Sequence, residues 1–116
     1  MKFCPYCSEP VVLAIPPDDD RERFVCTKCD AVHYQNPRMI VGCLVTFESS
    51  VMLCRRAIEP RKGLWTLPAG FMENGETAEE GALRETWEEA RARPEIRHLH
   101  TIYSIPHINQ VYLLFH

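Results

Sequence analysis

The sequence has no apolar run that approaches the roughly 20 residues of a membrane-spanning helix, and it shows no internal repeat or low-complexity segment. It also has no surplus of positive charge, since 13 lysine and arginine residues stand against 16 aspartate and glutamate residues. Proteins that grip phosphate backbones by charge need the opposite balance. With no secretory signal peptide, we expect a cytoplasmic protein without a nucleic-acid or membrane partner. An organellar protein that has lost its transit peptide is the alternative.

Three carboxylates stand out among the charges that are present. Glu85, Glu88 and Glu89 have the spacing i, i+3 and i+4, which places them on one face of a helix. Neighbouring carboxylates repel one another unless a cation compensates them. Oxygen ligands suit Mg²⁺ or Mn²⁺, and Mg²⁺ sites commonly recruit substrate phosphates as further ligands. The spacing therefore predicts metal-assisted phosphate chemistry, with a solvated acidic helix face stabilised by ion pairs as the alternative.

Local signals around the glutamates favour a helix at about residues 78–91. Thr77 can cap its N-terminus, and Glu80, three residues later, completes a capping box. Pro94 marks its end. The helix is expected to pack on the core through a stripe of five apolar residues: Ala78, Ala82, Leu83, Trp87 and Ala90.

Residues 70–92 resemble the Nudix box of the Nudix hydrolase family, and all the charged positions of the box match. The matching pattern is Gly70, five residues, Glu76, seven residues, Arg84-Glu85, then Glu88-Glu89. Two positions depart from the family pattern. Thr86 replaces an aliphatic residue, which should cost some packing. Arg91 replaces a glycine where the helix would close through a left-handed residue, a conformation that an arginine tolerates poorly.

The resemblance implies an α/β fold, a Nudix-type α/β/α sandwich built on a mixed sheet. It also implies attack of water on a pyrophosphate, with divalent metals neutralising charge and activating the water. Glu85 and Glu89 correspond to the principal ligands of Mg²⁺ or Mn²⁺. Glu88 corresponds to a further or water-linked ligand, and the backbone carbonyl of Ala69 to an extra one. Two other residues correspond to groups that orient the helix and the loop: Glu76 and Arg84.

A second motif lies near the N-terminus, where four cysteines form two C-x-x-C pairs: Cys4 with Cys7, and Cys26 with Cys29. Eighteen residues separate the pairs, within the roughly 15–20 expected of a four-cysteine zinc site. Four thiolates favour tetrahedral Zn²⁺ in a closed structural site. Two disulfides and a redox-active pair are the alternatives. The missing signal peptide and the lack of a surrounding βαβ pattern argue against them.

The cysteine pairs enclose strand-like segments at residues 11–15 and 24–25, which predict a small β zinc ribbon over residues 1–34. This segment carries four basic and six acidic side chains, a net charge of −2. Because phosphate backbones attract the opposite sign, we expect a role in folding, in dimerisation or in shaping the edge of the active site. Nucleic-acid binding is the alternative.

The remaining 82 residues, 35–116, are predicted to form the Nudix domain. Its strands are expected at about 39–47, 51–56, 64–67, 95–104 and 110–115. The family's later strand, its C-terminal helix and the downstream loop that supplies a general base in many members have no counterpart. We therefore expect a C-terminally truncated chain, or else a homodimer that covers the exposed sheet face.

A zinc ribbon ahead of a Nudix box resembles the NADH pyrophosphatase branch, which carries Ser-Gln-Pro-Trp-Pro-Phe-Pro after the box. The corresponding segment 103–110 lacks the tryptophan and phenylalanine and looks closer to ribbon-bearing relatives that cleave ADP-ribose or FAD. The expected substrate is a nucleoside diphosphate linked to another moiety, with release of AMP. A catalytically impaired nucleotide-binding or regulatory protein is the alternative. Four residues are expected to contact the substrate: Arg55, Tyr103, His107 and Gln110. For the last three, an ordinary strand–turn–strand connection is the competing interpretation.

Overall fold

The structure, a computed structural model, describes residues 1–116. The chain folds as two compact units, Met1–Asn36 and Pro37–His116. Neither contains a helix with the length and hydropathy needed to cross a membrane.

The first unit is an antiparallel sheet of three short strands. β1 (Val11–Ala14) pairs with β2 (Arg23–Cys26), and β2 pairs with β3 (Val32–His33). The β1–β2 connection is held by Asp19, whose Oδ2 accepts a hydrogen bond of 3.0 Å from Nε of Arg23. This contact, with backbone N–H groups of the same turn, lowers the pKa of Asp19. The predicted ribbon is therefore present, with a third strand that the sequence pattern did not reveal.

The second unit contains eight further strands: β4 (Arg38–Cys43), β5 (Thr46–Phe47), β6 (Ser50–Val51), β7 (Cys54–Arg55), β8 (Trp65–Thr66), β9 (Ala69–Phe71), β10 (Leu99–Ile105) and β11 (Gln110–Phe115). Its main sheet has the order β10-β11-β4-β9. β11 runs parallel to β4, and the other two pairs are antiparallel. The predicted mixed sheet is confirmed.

Two small hairpins, β5–β6 and β7–β8, lie outside the main sheet. The predictions of single strands at 39–47 and 51–56 were wrong in this respect, because each segment divides between two sheets. Hydrophobic pattern cannot show where an apolar run leaves one sheet for another. The strand predicted at 95–104 begins only at Leu99.

The helix α1 (Ala78–Ala90) lies within one residue of the predicted range. Oγ1 of Thr77 accepts a hydrogen bond of 3.1 Å from the backbone N–H of Glu80, so the expected cap is formed. The helix ends at Arg91, which adopts a left-handed conformation (φ 52°, ψ 31°) and donates its N–H to the carbonyl of Trp87. An arginine therefore occupies a left-handed backbone conformation in which glycine is favoured.

The helix covers one face of the main sheet with a stripe that differs from the predicted one. Gly81, Ala82 and Thr86 are its buried residues, whereas Trp87 is 37% exposed. A Cβ on Gly81 would come within 2.8 Å of Val41, so small residues let the helix approach β4 closely. There is no room for an indole at this interface, and the prediction of Trp87 in the core was wrong.

Thr86 is fully buried, and its hydroxyl is satisfied within the helix. Oγ1 donates a 2.8 Å hydrogen bond to the carbonyl of Ala82, one turn earlier. This bond removes much of the cost of placing a hydroxyl where the family has an aliphatic side chain. The core beneath it consists of Val41, Cys43, Ala82 and Phe115.

Candidate active site and zinc-ribbon cysteines

Arg84 is the centre of the charged cluster on α1. Its Nη1 donates to Oε1 of Glu85 at 2.8 Å and to Oε2 of Glu88 at 3.3 Å. Its Nη2 donates to the carbonyl of Phe71, in the strand β9, at 3.1 Å. One guanidinium therefore neutralises two of the three predicted metal-binding carboxylates and links the helix to the sheet.

The loop before the helix is fastened by Glu76. Both of its carboxylate oxygens accept hydrogen bonds from Arg84, at 2.8 and 3.0 Å. Oε1 also accepts a hydrogen bond of 2.7 Å from the backbone N–H of Glu73. These bonds lower the pKa of Glu76 to about 2, with the Arg84 contact as the largest cause. Gly81 leaves the space that this carboxylate occupies, since a Cβ there would lie 2.7 Å from Oε1.

Gly70 lies directly against the carboxylate of Glu85. A Cβ at Gly70 would overlap all three terminal atoms of that side chain, and the Glu85 side chain is only 13% exposed. A residue without a side chain is therefore needed for close approach of the β9 backbone to this carboxylate.

Glu89 is held from the other side by the sheet, because the backbone N–H of Ala69 donates to its Oε2 at 3.0 Å. Burial is the main cause that raises the pKa of Glu89, and the charges of Glu85 and Glu88 raise it further. The Ala69 hydrogen bond and the charge of Arg56 act in the opposite direction. Negative charge at Glu89 is therefore incompletely compensated by the protein alone.

The donors on this face fit a hard divalent cation. Three carboxylates supply the hard oxygen ligands that Mg²⁺ or Mn²⁺ favours. The oxygens of these three glutamates are not tightly grouped. The four cysteines are the only set of three or more His, Cys, Asp or Glu residues whose ligand atoms all lie within 4.8 Å of one another. Cation binding would therefore require the three carboxylates to move closer together.

A pocket of about 360 Å³ opens beside Glu89. We call it the arginine pocket, because Arg55 and Arg56 line it together with Thr66, Glu89 and the apolar side chains of Ala57 and Ile58. Arg55 Nε donates to the carbonyl of Gly63 at 3.1 Å, and Arg56 Nε donates to that of Pro60 at 2.7 Å. Backbone carbonyls thus orient both guanidiniums, and the charge of Arg56 acts on Glu89, whose pKa it lowers.

Arg56 was not among the residues predicted to contact substrate, although its neighbour Arg55 was. The available signal was the arginine pair itself, since guanidinium groups bind phosphates with two parallel hydrogen bonds. Successive side chains of a strand point to opposite faces, which makes a shared pocket for adjacent residues hard to foresee. Arg56 directly follows β7 and is still paired across the hairpin, since its N–H donates to the carbonyl of Leu64 at 2.9 Å.

The structure does not bring Tyr103, His107 and Gln110 to the arginine pocket. Tyr103 lies in β10, the far edge of the sheet from β9, and His107 lies in the 3₁₀ turn Pro106–Ile108. Strand spacings of about 4.8 Å separate β10 from β9 by roughly 14 Å. Their role in substrate binding stays a prediction.

The four ribbon cysteines converge from two turns of the first unit. Measured between Sγ atoms, Cys7 lies 3.4 Å from Cys26 and 3.7 Å from Cys29, and Cys4 lies 3.8 Å from Cys29. Zn–S bonds of about 2.3 Å in a tetrahedral site separate the sulfurs by about 3.8 Å. The donor set and its spacing therefore fit a structural Zn²⁺.

Backbone N–H groups point at these sulfurs. Cys29 and Lys28 each donate to Sγ of Cys26 at 3.4 Å, and these contacts lower the pKa of Cys26 to about 6. Nε2 of His33 lies 3.3 Å from Sγ of Cys4, a contact that the sequence pattern did not predict. Such outer contacts orient thiolate ligands.

Comparison with known proteins agrees with both parts of this description. Residues 36–115 match the family described as NUDIX domain, and residues 2–35 match the zinc-ribbon family described as Nudix N-terminal. A crystal structure of a NUDIX hydrolase from Nitrosomonas europaea is 59% identical, with a TM-score of 0.94, over 99% of this chain and 65% of that one.

Two curated relatives are more distant. ADP-ribose pyrophosphatase of Methanocaldococcus jannaschii is 37% identical over 73 residues, which are 63% of this chain and 43% of the relative. NAD-capped RNA hydrolase NudC of Salmonella heidelberg is 30% identical over 105 residues, 90% of this chain and 38% of the relative. The matched regions thus span about two fifths of each relative's length. By its box, its sheet and its ribbon, the chain belongs to the Nudix family.

Proposed function

We propose that this chain takes part in hydrolysis of the pyrophosphate bond of a nucleoside diphosphate linked to another moiety, with release of AMP. The observation that carries the proposal is the position of Glu89. This Nudix-box carboxylate lines the arginine pocket together with Arg55 and Arg56, whose guanidiniums suit phosphate oxygens. A predicted cation ligand and two phosphate-binding groups therefore share one cavity.

Each group has a distinct role in this proposal. Arg55 and Arg56 bind non-bridging oxygens of the pyrophosphate and hold it against the helix. Glu85 and Glu89 hold Mg²⁺ or Mn²⁺, with Glu88 and the carbonyl of Ala69 as further ligands. When bound, the metal supplies charge neutralisation and an activated water.

Arg84 and Glu76 position these ligands without touching substrate. Arg84 contacts Glu85, Glu88 and the carbonyl of Phe71 at once. Its bond to Glu76 anchors the loop between β9 and the helix. Gly70, within β9, shapes the space around the Glu85 carboxylate.

ADP-ribose and FAD are the favoured substrates, and NADH is a further candidate. A relative named ADP-ribose pyrophosphatase supports the first. The absence of tryptophan and phenylalanine from residues 103–110 supports a preference against NADH. A relative named NAD-capped RNA hydrolase makes capped RNA a further candidate.

The test is AMP release with Mg²⁺ or Mn²⁺ in parallel assays of ADP-ribose, FAD and NADH. Glu89→Gln keeps the size and the hydrogen-bond acceptor but removes the charge, and it should abolish metal-dependent release. Glu79→Gln is the matched control, since Glu79 is an exposed glutamate in the first turn of the same helix. Undiminished turnover by Glu89→Gln would refute this metal site.

A second candidate is a Nudix-fold protein that binds nucleotides without cutting them. Two observations favour it: the left-handed arginine at the helix end and the pairing of Arg84 with two of the predicted ligands. It predicts tight binding of ADP-ribose by calorimetry with no AMP formed, even with saturating Mn²⁺.

The ribbon is assigned Zn²⁺ as a structural ion. Four thiols that remain reduced suit a reducing compartment such as the cytoplasm. Zinc content of the purified protein, measured by atomic emission, should be one ion per chain.

A further inference from the structure

Three of the five histidines of the sequence lie together on the β10–β11 side of the second unit. The imidazole of His98 lies 5.1 Å from that of His116, measured between ring centroids. The ring of His100 lies 6.4 Å from the same ring of His116. This group, which we call the histidine trio, contains none of the residues assigned to the Nudix box or the zinc ribbon.

The backbone holds two members of the trio in fixed register. His98 and His116 exchange two hydrogen bonds, from N–H of His116 to the carbonyl of His98 at 2.8 Å and in return at 3.2 Å. They are therefore directly opposite residues of an antiparallel pair, whose side chains lie on the same face. His100 is two residues beyond His98, and a register shift between Leu99 and Thr101 falls on it. Irregularities of this kind re-aim a side chain.

The spacing of the rings suits ligation of one transition-metal ion. Imidazoles bound tetrahedrally at Zn–N distances of about 2.0–2.1 Å have ring centroids about 5 Å apart. The His98–His116 pair has that separation, and the His100 ring needs to move about 1 Å closer. In the present arrangement, no choice of one ring nitrogen from each histidine brings all three within 4.8 Å of one another. Because His98 and His100 are exposed, side-chain rotation can supply the change.

His116 also has a hydrogen-bond partner that orients its ring. Nε2 lies 2.9 Å from Oγ1 of Thr46, which leaves Nδ1 as its ligand atom. A cavity of about 340 Å³ beside it, lined in part by Thr46, Arg97 and Glu95, has room for water ligands. Arg93 and Arg97 bring positive charge to this cavity, and Glu95 brings negative charge. The imidazoles themselves are neutral nitrogen ligands, which suit a metal that binds nitrogen strongly.

We propose that His98, His100 and His116 form a second metal site, for a divalent cation that prefers imidazole, such as Ni²⁺ or Cu²⁺. Such metals bind imidazole in preference to carboxylate and water, whereas Mg²⁺ and Mn²⁺ do the reverse. The site is separate from the Nudix carboxylates in ligand chemistry as well as in sequence. Bound metal would clamp β10 to the end of β11.

The test uses zinc-loaded protein without a histidine tag, in excess Mg²⁺ so that the carboxylates are occupied. Ni²⁺ is titrated by calorimetry into the wild type and into His98→Asn, His100→Asn and His116→Asn. Each variant should bind Ni²⁺ at least about tenfold more weakly, because loss of even a group that only orients a metal ligand typically costs about 10- to 100-fold in affinity. His107→Asn is the matched control, because His107 is an exposed histidine in the 3₁₀ turn, and it should bind as the wild type does.

A measurement on the wild type alone makes the result independent of how well the variants fold. Paramagnetic Ni²⁺ at substoichiometric concentration should broaden the imidazole NMR signals of His98, His100 and His116 and leave those of His107 sharp. Uniform broadening of all exposed histidines, or equal affinity in the His107→Asn and His100→Asn variants, would overturn the proposal. So would a wild type that binds no Ni²⁺ at millimolar concentration.

Discussion

Arg84 donates two hydrogen bonds to Glu76, from Nε to Oε2 at 3.0 Å and from Nη2 to Oε1 at 2.8 Å. Glu76 precedes the helix and Arg84 lies within it, so the pair ties the loop to the helix face that carries the glutamates. The same guanidinium also reaches Glu85, Glu88 and the carbonyl of Phe71. No other side chain of the cluster bonds to so many of its neighbours.

The first prediction concerns the shape of this side chain. Arg84→Lys keeps the charge but cannot present a planar fork to Glu76. We expect AMP release to fall about 10- to 100-fold, as is usual when a group that orients metal ligands is lost. Arg97→Lys, an exposed position, is the control and should retain activity. Wild-type turnover in Arg84→Lys would show that the charge alone suffices.

The second prediction is a pH dependence of stability. The pKa of Glu76 is lowered from 4.5 to about 2 by Arg84 and by the N–H of Glu73. A carboxyl group with a lowered pKa in the folded state stabilises the fold above its ordinary pKa, and this stability is lost as pH falls through the folded value. The Tm of the wild type should therefore fall more between pH 4.5 and pH 2 than that of Glu76→Gln. Parallel Tm curves for the two proteins would contradict the ion pair.

The third prediction separates stability from activity at Glu89. Burial raises the pKa of this carboxyl, so it holds its proton more tightly when folded, and its ionisation above the ordinary pKa costs stability. Without metal at neutral pH, Glu89→Gln should have a higher Tm than the wild type. Added Mg²⁺ should raise the Tm of the wild type and not that of the variant. A lower Tm for metal-free Glu89→Gln would disprove the argument.

The fourth prediction compares two glycines with different demands. Gly70→Ala introduces a Cβ that overlaps the Glu85 carboxylate, so activity should fall sharply because that ligand is displaced. Gly75→Ala meets no atom within 4 Å but must adopt φ +84°, which should lower stability by about 1 kcal/mol with turnover retained. Chemical denaturation and AMP release together distinguish the two effects. Equal losses of activity would contradict the steric explanation.

The fifth prediction concerns the ribbon. Cys29→Ser removes one sulfur of the set around the proposed zinc, and zinc content should fall well below one ion per chain. NMR signals of β1, β2 and β3 should then lose their dispersion, because small zinc sites supply most of the folding energy of such units. Cys54→Ser, outside the ribbon, is the control. Retained zinc in Cys29→Ser would point to His33 as a substitute ligand.

Features that depend on neighbours along the chain were predictable from the sequence. The cap between Thr77 and Glu80 follows from a spacing of three residues. The left-handed closure at position 91 was implied by the resemblance to the Nudix box, and Arg91 adopts it. The helix range followed from them, and the family fold was accessible because the box is a local pattern.

Features that depend on distant packing were not predictable. Trp87 carried the expected apolar character, but the helix lies too close to β4 for an indole, and the Arg93 guanidinium lies 4.2 Å from the centre of its ring instead. The pairing of His98 with His116 depends on strand register, which a single sequence does not specify. That Arg56 lines the arginine pocket with Glu89 depends on how the β7–β8 hairpin lies against the helix, which a local pattern does not show.

The parallel pairing of β4 with β11 has a consequence for biosynthesis. β4 is made early, but its partner at residues 110–115 leaves the ribosome some 70 residues later. Until then one edge of the central strand stays open, and apolar residues such as Val41 lack part of their cover. Contacts so distant in sequence slow folding and expose strand edges that can aggregate. The nascent chain is therefore a candidate for chaperone protection during this interval of its synthesis.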